Sequence, residues 1–234
     1  MSADGNSGDI FIYGDIESYQ WLEEDTTASS FKQDLDGLGD VSEINLFINS
    51  PGGSVFEGIS IHNMLKRHKA KVNVYVDALA ASIASVIAMA GDTIHMPKNS
   101  MLMIHNAWTV TMGNSSELRK AADDLDRISN SSKQSYLQKA GEKLDDTTLQ
   151  EMLDAETWLS ADEAYQYGLA DVVLEGNQMV ASVSEDLFEK YKNVPDFLNK
   201  KMDKNEISAE EMAQRQKISE QANEKLKLLQ IGGL

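Results

Sequence analysis

Two strand-like apolar runs, EINLFINS (43–50) and KVNVYVDA (71–78), stand on either side of one helix-length stretch. Strands alternating with helices require crossover connections, which commits the chain to an α/β architecture. The alternation continues in both directions. DIFIYGDI (9–16) reads as an earlier strand ending at a Gly turn. LAASIASVIAMAG (79–91) reads as a helix, and TIHMP and SMLMIH as two short strands around Pro97. A long polar helix is expected over 116–140, stopping at Gly141, a natural residue just past a helix end. TTLQEMLD (147–154) is a short helix and DVVLE (171–175) a late strand. Three Ser-x-x-Glu boxes mark helix starts. They are Ser54 to Glu57, opening a helix to about Lys69, then Ser160 to Glu163, and Ser208 to Glu211. In each, hydroxyl and carboxylate are expected to satisfy each other's backbone N–H groups.

Residues 1–8 read as a disordered leader, 9–184 as the folded domain and 185–234 as a charged, partly helical tail. The tail holds ten acids and nine bases, and Met212, Ile218, Ala222, Leu226 and Leu229 form a thin helical stripe. Such a stripe suits a solvated helix at least as well as a coiled contact with a partner. The whole chain carries 38 acids against 21 bases, a formal charge of −17. That balance repels phosphate backbones and anionic lipid, so neither nucleic acid nor a membrane is an expected partner. With no cysteine there is no disulfide framework and no thiolate metal site,. No signal peptide precedes the first strand and no apolar run spans a bilayer, so a cytoplasmic location is expected.

Several side chains could carry chemistry. Ser82 falls where strand 71–78 gives way to a helix, and there the N–H of Ile83 and the helix start would favour a developing oxyanion. Ser85, one turn on, is expected to bond back to a carbonyl. On spacing alone, a small residue that permits close packing is the plainer reading of either serine. Gly52-Gly53, between a strand and a helix, could free a backbone N–H for a ligand or simply make a turn. His62 and His68 fall on the polar-looking side of a helix and are expected in solvent. His95 sits in a short strand, and His105 ends the run MLMI, where a cleft or a core contact would suit it. No histidine pair has HExxH spacing, so no metal is expected, and no nucleotide fingerprint is present, so no cofactor is expected. Glu156 and Asp154 are the candidate acids, with a solvated helix end as the bland reading.

These signals recur together in one family. INSPGGSVFEGISIHNML, LAASIASVIAMAG, PKNSMLMIHNA and ETWLSADEAYQYGLAD resemble, in order and spacing, the proteolytic subunit of the Clp protease (ClpP), over about Asp9 to Glu175. The wording is most similar to the ClpP-like head-maturation (prohead) proteases of phages and prophages. The resemblance implies a ClpP/crotonase-like fold of stacked βαβ units with a handle strand and helix. It also implies a serine endopeptidase in which Ser82 is the nucleophile, His105 the base, and the Gly53 and Ile83 amides the oxyanion donors. The family's acid is an aspartate two residues before an aromatic. Here that place holds Glu156, before Trp158, with Asp154 as rival. A homo-oligomer of two stacked rings is implied, joined through Ala107–Gly113 and the charges of helix 116–140 (Glu117, Arg119, Lys120, Asp123, Asp124, Asp126, Arg127). The implied substrates are peptides or proteins such as scaffold or capsid protein. The gate-forming N-terminal segment of the family has no counterpart in the match, which speaks against docking of a Clp-type ATPase. Two other classes remain: a catalytically idle assembly or scaffold protein on the same fold and, ranked last, a crotonase-type acyl-CoA enzyme, which has no need of a Ser/His pair.

Overall fold

The computed structural model of the chain describes residues 6–22, 24–175 and 191–195. The chain divides into two compact units, Met1–Val194 and Pro195–Leu234. The described residues up to Val194 belong to the first. The box at Ser208 and the stripe from Met212 to Leu229 lie outside the described residues.

A single seven-stranded sheet organises these residues. Strands β1 (Ser7–Ile16), β2 (Glu43–Gly53), β3 (Lys71–Ala81) and β4 (Thr93–Pro97) lie side by side, and β7 (Val172–Leu174) closes the row, all parallel. Helices α1 (Ala28–Gly37), α2 (Val55–Arg67) and the short α3 (Ile83–Ala88) provide the crossovers. The α/β architecture expected from the alternation is the one observed. One feature of the sheet places the site. The lower part of β3 pairs with β4 from Asn73 opposite Thr93, whereas its upper part, Leu79 to Ala81, pairs with β5 (Met101–Ile104). β5 in turn pairs antiparallel with β6 (Thr157–Ser160). Helices α4 (Ser115–Ala140), α5 (Asp146–Asp154) and α6 (Ala161–Gln166) complete the unit.

Alternation along the strands sorts the two sheet faces. Ile10, Ile12, Ile44, Leu46, Ile48, Val72, Val74 and Ile94 are buried in one cluster with Phe31 and Leu35 of α1 and Ile61 and Leu65 of α2. The intervening residues form an aromatic row on the opposite face. Phe11, Phe47, Tyr75 and His95 occupy matching register positions and stack at 4.9, 5.1 and 4.6 Å between ring centroids.

The structure corrects several local expectations. β1 begins at Ser7, inside the segment read as a leader, and passes through Gly14 as a register irregularity rather than stopping there. Helix α1 was not expected; Thr27 caps it together with Ser30. The run 79–91 is not one helix, because its first three residues extend β3 and only Ile83–Ala88 is helical. Segment 157–160, for which no element was expected, is strand β6. The box at Ser160 forms, whereas Ser54 makes no side-chain capping bond. Glu57 instead accepts the N–H of Ala28 at 2.6 Å, tying α2 to the start of α1. Residues 105–114 contain no strand. Among the described residues no strand pairs with this segment, and Val110 and Met112 point into solvent. On α4, Lys120 and Arg127 both pair with Asp124 along the helix itself, at 2.5 and 3.2 Å. The buried residues of α4, Lys133, Tyr136 and Ala140, all lie in its last third.

His62 is a further correction. It is buried, only 7% exposed, and its Nδ1 lies 2.9 Å from the Val86 carbonyl of α3. Burial holds its pKa below the ordinary 6.5; the Val86 bond opposes this, and Lys66 adds to the depression. The sign follows from which state binds the proton first. Near neutral pH both states are uncharged. As pH falls below the ordinary value, the unfolded chain takes up the proton before the folded one does, and stability is lost. His62→Asn keeps an N–H donor for Val86 without the titration. Its melting temperature should therefore fall less than that of the wild type between about pH 7 and about pH 5. Parallel slopes in a thermal melt series would show that His62 is not a source of the acid sensitivity.

Candidate active site

Ser82 occupies the junction of β3 and α3 with φ 54° and ψ −126°. A positive φ on a residue with a Cβ is strained, costing on the order of 1–3 kcal/mol, and it persists only where the surroundings over-determine it. They do so here. The Ser82 N–H donates to the Met103 carbonyl of β5 at 2.9 Å. The buried Ser85 hydroxyl donates to the Ser82 carbonyl at 2.6 Å, as the sequence reading expects, and also shares a 2.6 Å hydrogen bond with the Tyr136 hydroxyl of α4. Burial pushes the Tyr136 pKa upward, so the phenol stays protonated within this chain of bonds. The turn aims the Ser82 hydroxyl away from the α3 cap, and it makes no capping bond to the helix.

His105 is the residue that follows β5. Its Nε2 lies 2.7 Å from Ser82 Oγ. The β5–β6 pairing sets Ile104 opposite Thr157, so the residue before Thr157 lies beside the imidazole. That residue is Glu156. Its Oε2 is 3.8 Å from His105 Nδ1, and both side chains are about nine-tenths buried, at 10% and 11% exposure. Glu156 also has a positive φ, 50°; it and Ser82 are the two such non-glycine residues among those described. Asp154 points elsewhere. Its carboxylate accepts from Asn106 Nδ2 at 2.7 Å and from Gln150 Nε2 at 2.8 Å. The structure therefore brings Ser82, His105 and Glu156 together and leaves Asp154 outside.

Burial pulls the His105 pKa below its ordinary 6.5, and the charge of Glu156 opposes that shift. The ring is therefore neutral at pH 7, with one nitrogen able to accept a proton from the serine.

Gly52 and Gly53 form the floor of the same site. Their φ values are 93° and 142°, a backbone that side chains rarely adopt,. A Cβ on Gly52 would sit 2.8 Å from Ser82 Cβ and 3.1 Å from the Ile83 nitrogen, closing the space in front of both. A Cβ on Gly53 would meet the Ile16 carbonyl at 2.1 Å. The absence of side chains thus lets the loop approach the Ser82 turn on one side and β1 on the other. An open cleft of about 380 Å³ lies in front, bordered by Gly52, Gly53, Ser82, His105, Trp108 and Tyr191. Of these, Trp108 and Tyr191 were not anticipated. Trp108 follows the matched PKNSMLMIHNA segment and Tyr191 lies in the polar tail, and no local spacing signals either. Among the described residues no group of three or more His, Asp or Glu could hold a metal ion, and no helix is long and apolar enough to cross a membrane.

The sequence comparisons point the same way as the fold. The chain is 36% identical over 137 residues to the ATP-dependent Clp protease proteolytic subunit of Pleurastrum terricola, a match covering 57% of this chain and 68% of that protein. It is 32% identical over 146 residues to the ATP-dependent Clp protease proteolytic subunit 1 of Salinibacter ruber, covering 61% of this chain and 62% of the relative. The family profile described as Clp protease matches residues 9–177, well over half of the sequence. With this match laid over the βαβ fold just described, the chain belongs to the Clp protease family.

Proposed function

We propose that this chain is a serine endopeptidase in which Ser82 is the nucleophile, His105 the general base and Glu156 the acid that orients the imidazole. The Ile83 and Gly53 amides are the oxyanion donors. The observation that carries the reading is the 2.7 Å contact between Ser82 Oγ and His105 Nε2 at the edge of an open cleft. In the proposed cycle Ser82 Oγ attacks the scissile carbonyl while Nε2 takes its proton. The two amides hold the tetrahedral oxyanion. His105 then returns the proton to the leaving amine, and water releases the acyl group by the same steps. The 3.8 Å gap between Glu156 and His105 is longer than a hydrogen bond. Such contacts are often loose without substrate and tighten in the reacting complex.

The substrate assignment is finer and rests on the wording of the four matching segments. We place the chain among head-maturation proteases that trim scaffold or capsid protein, working as a homo-oligomeric ring of two layers. The exposed Trp108, Val110 and Met112 in the segment after His105 support the assembly, since they offer an unpaired run to another copy,. The catalytically idle assembly protein keeps one observation in its favour, the same 3.8 Å separation of acid and base.

A fluorophosphonate probe separates the two readings. The wild type should label at Ser82, Ser82→Ala should not label, and His105→Ala should label about a hundredfold or more slowly. A wild-type chain that does not react, or a Ser82→Ala chain that still does, would refute the peptidase reading. The pH dependence adds an independent check. Because burial depresses the His105 pKa, the labelling rate should fall on the acid side only below the ordinary histidine range. Glu156→Gln removes the charge that supports the imidazolium, so it should slow labelling and move that acid limb lower still. A limb that stays in place or moves upward in Glu156→Gln would exclude Glu156 as the partner acid.

A further inference from the structure

The segment at residues 191–193 lies beyond the family match, which ends at residue 177, yet it touches Glu156, His105 and the glycine loop. Glu156 Oε1 accepts the backbone N–H groups of Lys192 and Asn193, each at 2.7 Å. Asn193 Nδ2 donates to the carbonyl of Ala155, the residue before the acid, at 2.7 Å. The Tyr191 ring stands edge-on to His105 and to Trp158, 5.7 Å between centroids in each case. Its hydroxyl donates to the carbonyl of Pro51 in the glycine loop. Burial and the nearby charges of Asp15 and Glu156 raise the Tyr191 pKa, so this donor keeps its proton.

We propose that residues 191–193 are a clamp that positions Glu156 against His105, a role resting on the peptidase reading above. The chemistry of the acid explains the need. Glutamate has one more rotatable bond than the aspartate the family carries here, so it reaches further but is less confined. Two charge-assisted N–H bonds on Oε1 fix the carboxylate plane and leave Oε2 turned toward Nδ1. The Tyr191 ring excludes water from the side of the imidazole, and its hydroxyl couples the clamp to the loop that bears Gly53. An inhibitory strap would fill the cleft. Tyr191 instead forms part of the wall of a cleft that stays open in front of Ser82.

The test uses the full-length protein and the rate of fluorophosphonate labelling at Ser82 across pH. Lys192→Pro deletes one clamp N–H, whereas Lys192→Ala keeps it. The proline variant should label roughly tenfold more slowly than the alanine variant, as expected when a catalytic group is mispositioned. Its acid limb should also move to lower pH, because the carboxylate no longer supports the imidazolium. In a Glu156→Gln background the proline substitution should add little, since the clamp then has no charge to hold. Tyr191→Phe is the milder variant, losing only the Pro51 bond, and should slow labelling by about fivefold. Equal rates for the two Lys192 variants, an unmoved acid limb, or an undiminished loss in the Glu156→Gln background would overturn the clamp. Faster labelling of Lys192→Pro or Tyr191→Phe would overturn it in favour of an inhibitory strap. Failure of the underlying peptidase reading is distinguishable, because the unmutated chain would then not label at Ser82.

Discussion

The upper part of β3 hydrogen-bonds to β5, and β5 to β6; the register of those two ladders is the constraint on which the rest depends. Ala81 lies opposite Met103, and Ile104 lies opposite Thr157. Ser82, His105 and Glu156 are the residues at which the three strands end or begin. Three side chains separated by many residues of sequence thus meet because three strand ends coincide. A strand slipped by one residue would turn its side chains to the other face. The alternation that buries Ile104 and Leu102 in the core therefore also fixes which way the site faces. Splitting β3 between two partners makes this possible. Its lower part remains in the main sheet with β4, while its upper part turns with β5 and leaves room for the cleft.

Desolvation then decides the charge states. A histidine in water at neutral pH is partly protonated, and a protonated ring cannot act as a base. Burial drives the proton off His105, and Glu156 partly restores its affinity without reversing the shift. The same burial would be costly for an unpartnered carboxylate. The amides of Lys192 and Asn193 meet that requirement for Glu156. Glu156, His105 and residues 191–193 are therefore energetically linked.

Much of this was legible in the sequence, for reasons that differ by residue. Alternation of strands and helices specified the α/β architecture because each element must bury one face. The Gly-Gly loop and the serine turn were ambiguous on spacing alone, and only the resemblance of the four segments to the family singled them out. The capping boxes show where local reading stops. Ser160 and Glu163 form theirs, while Ser54 and Glu57, with the same spacing, do not, because the Glu57 carboxylate has a competing donor on α1. No local pattern reveals a competitor brought in by tertiary packing. His62 was misread in the same way. It follows Ile61 on the face of α2 that meets α3, and its Nδ1 finds the Val86 carbonyl there. β6 escaped notice because four residues are too few for a period to be visible, and it exists only through its pairing with β5.

The positions of backbone strain follow from the same frame. Ser82 and Glu156 both adopt positive φ, a conformation that neither side chain favours. Strain of on the order of 1–3 kcal/mol at each would relax if the flanking chain were free to move. It persists because each residue adjoins a strand whose ladder is already paired. At Ser82 the Met103 carbonyl, the Ser85 hydroxyl and, behind it, Tyr136 add further restraints. At Glu156 the added restraints come from the carboxylate, through amides that lie beyond the family match. The serine turn is thus held by the contacts of a strand-to-helix junction. The Glu156 carboxylate is held by amides that lie beyond the family match, and its longer side chain is the physical reason that the proposed clamp is needed.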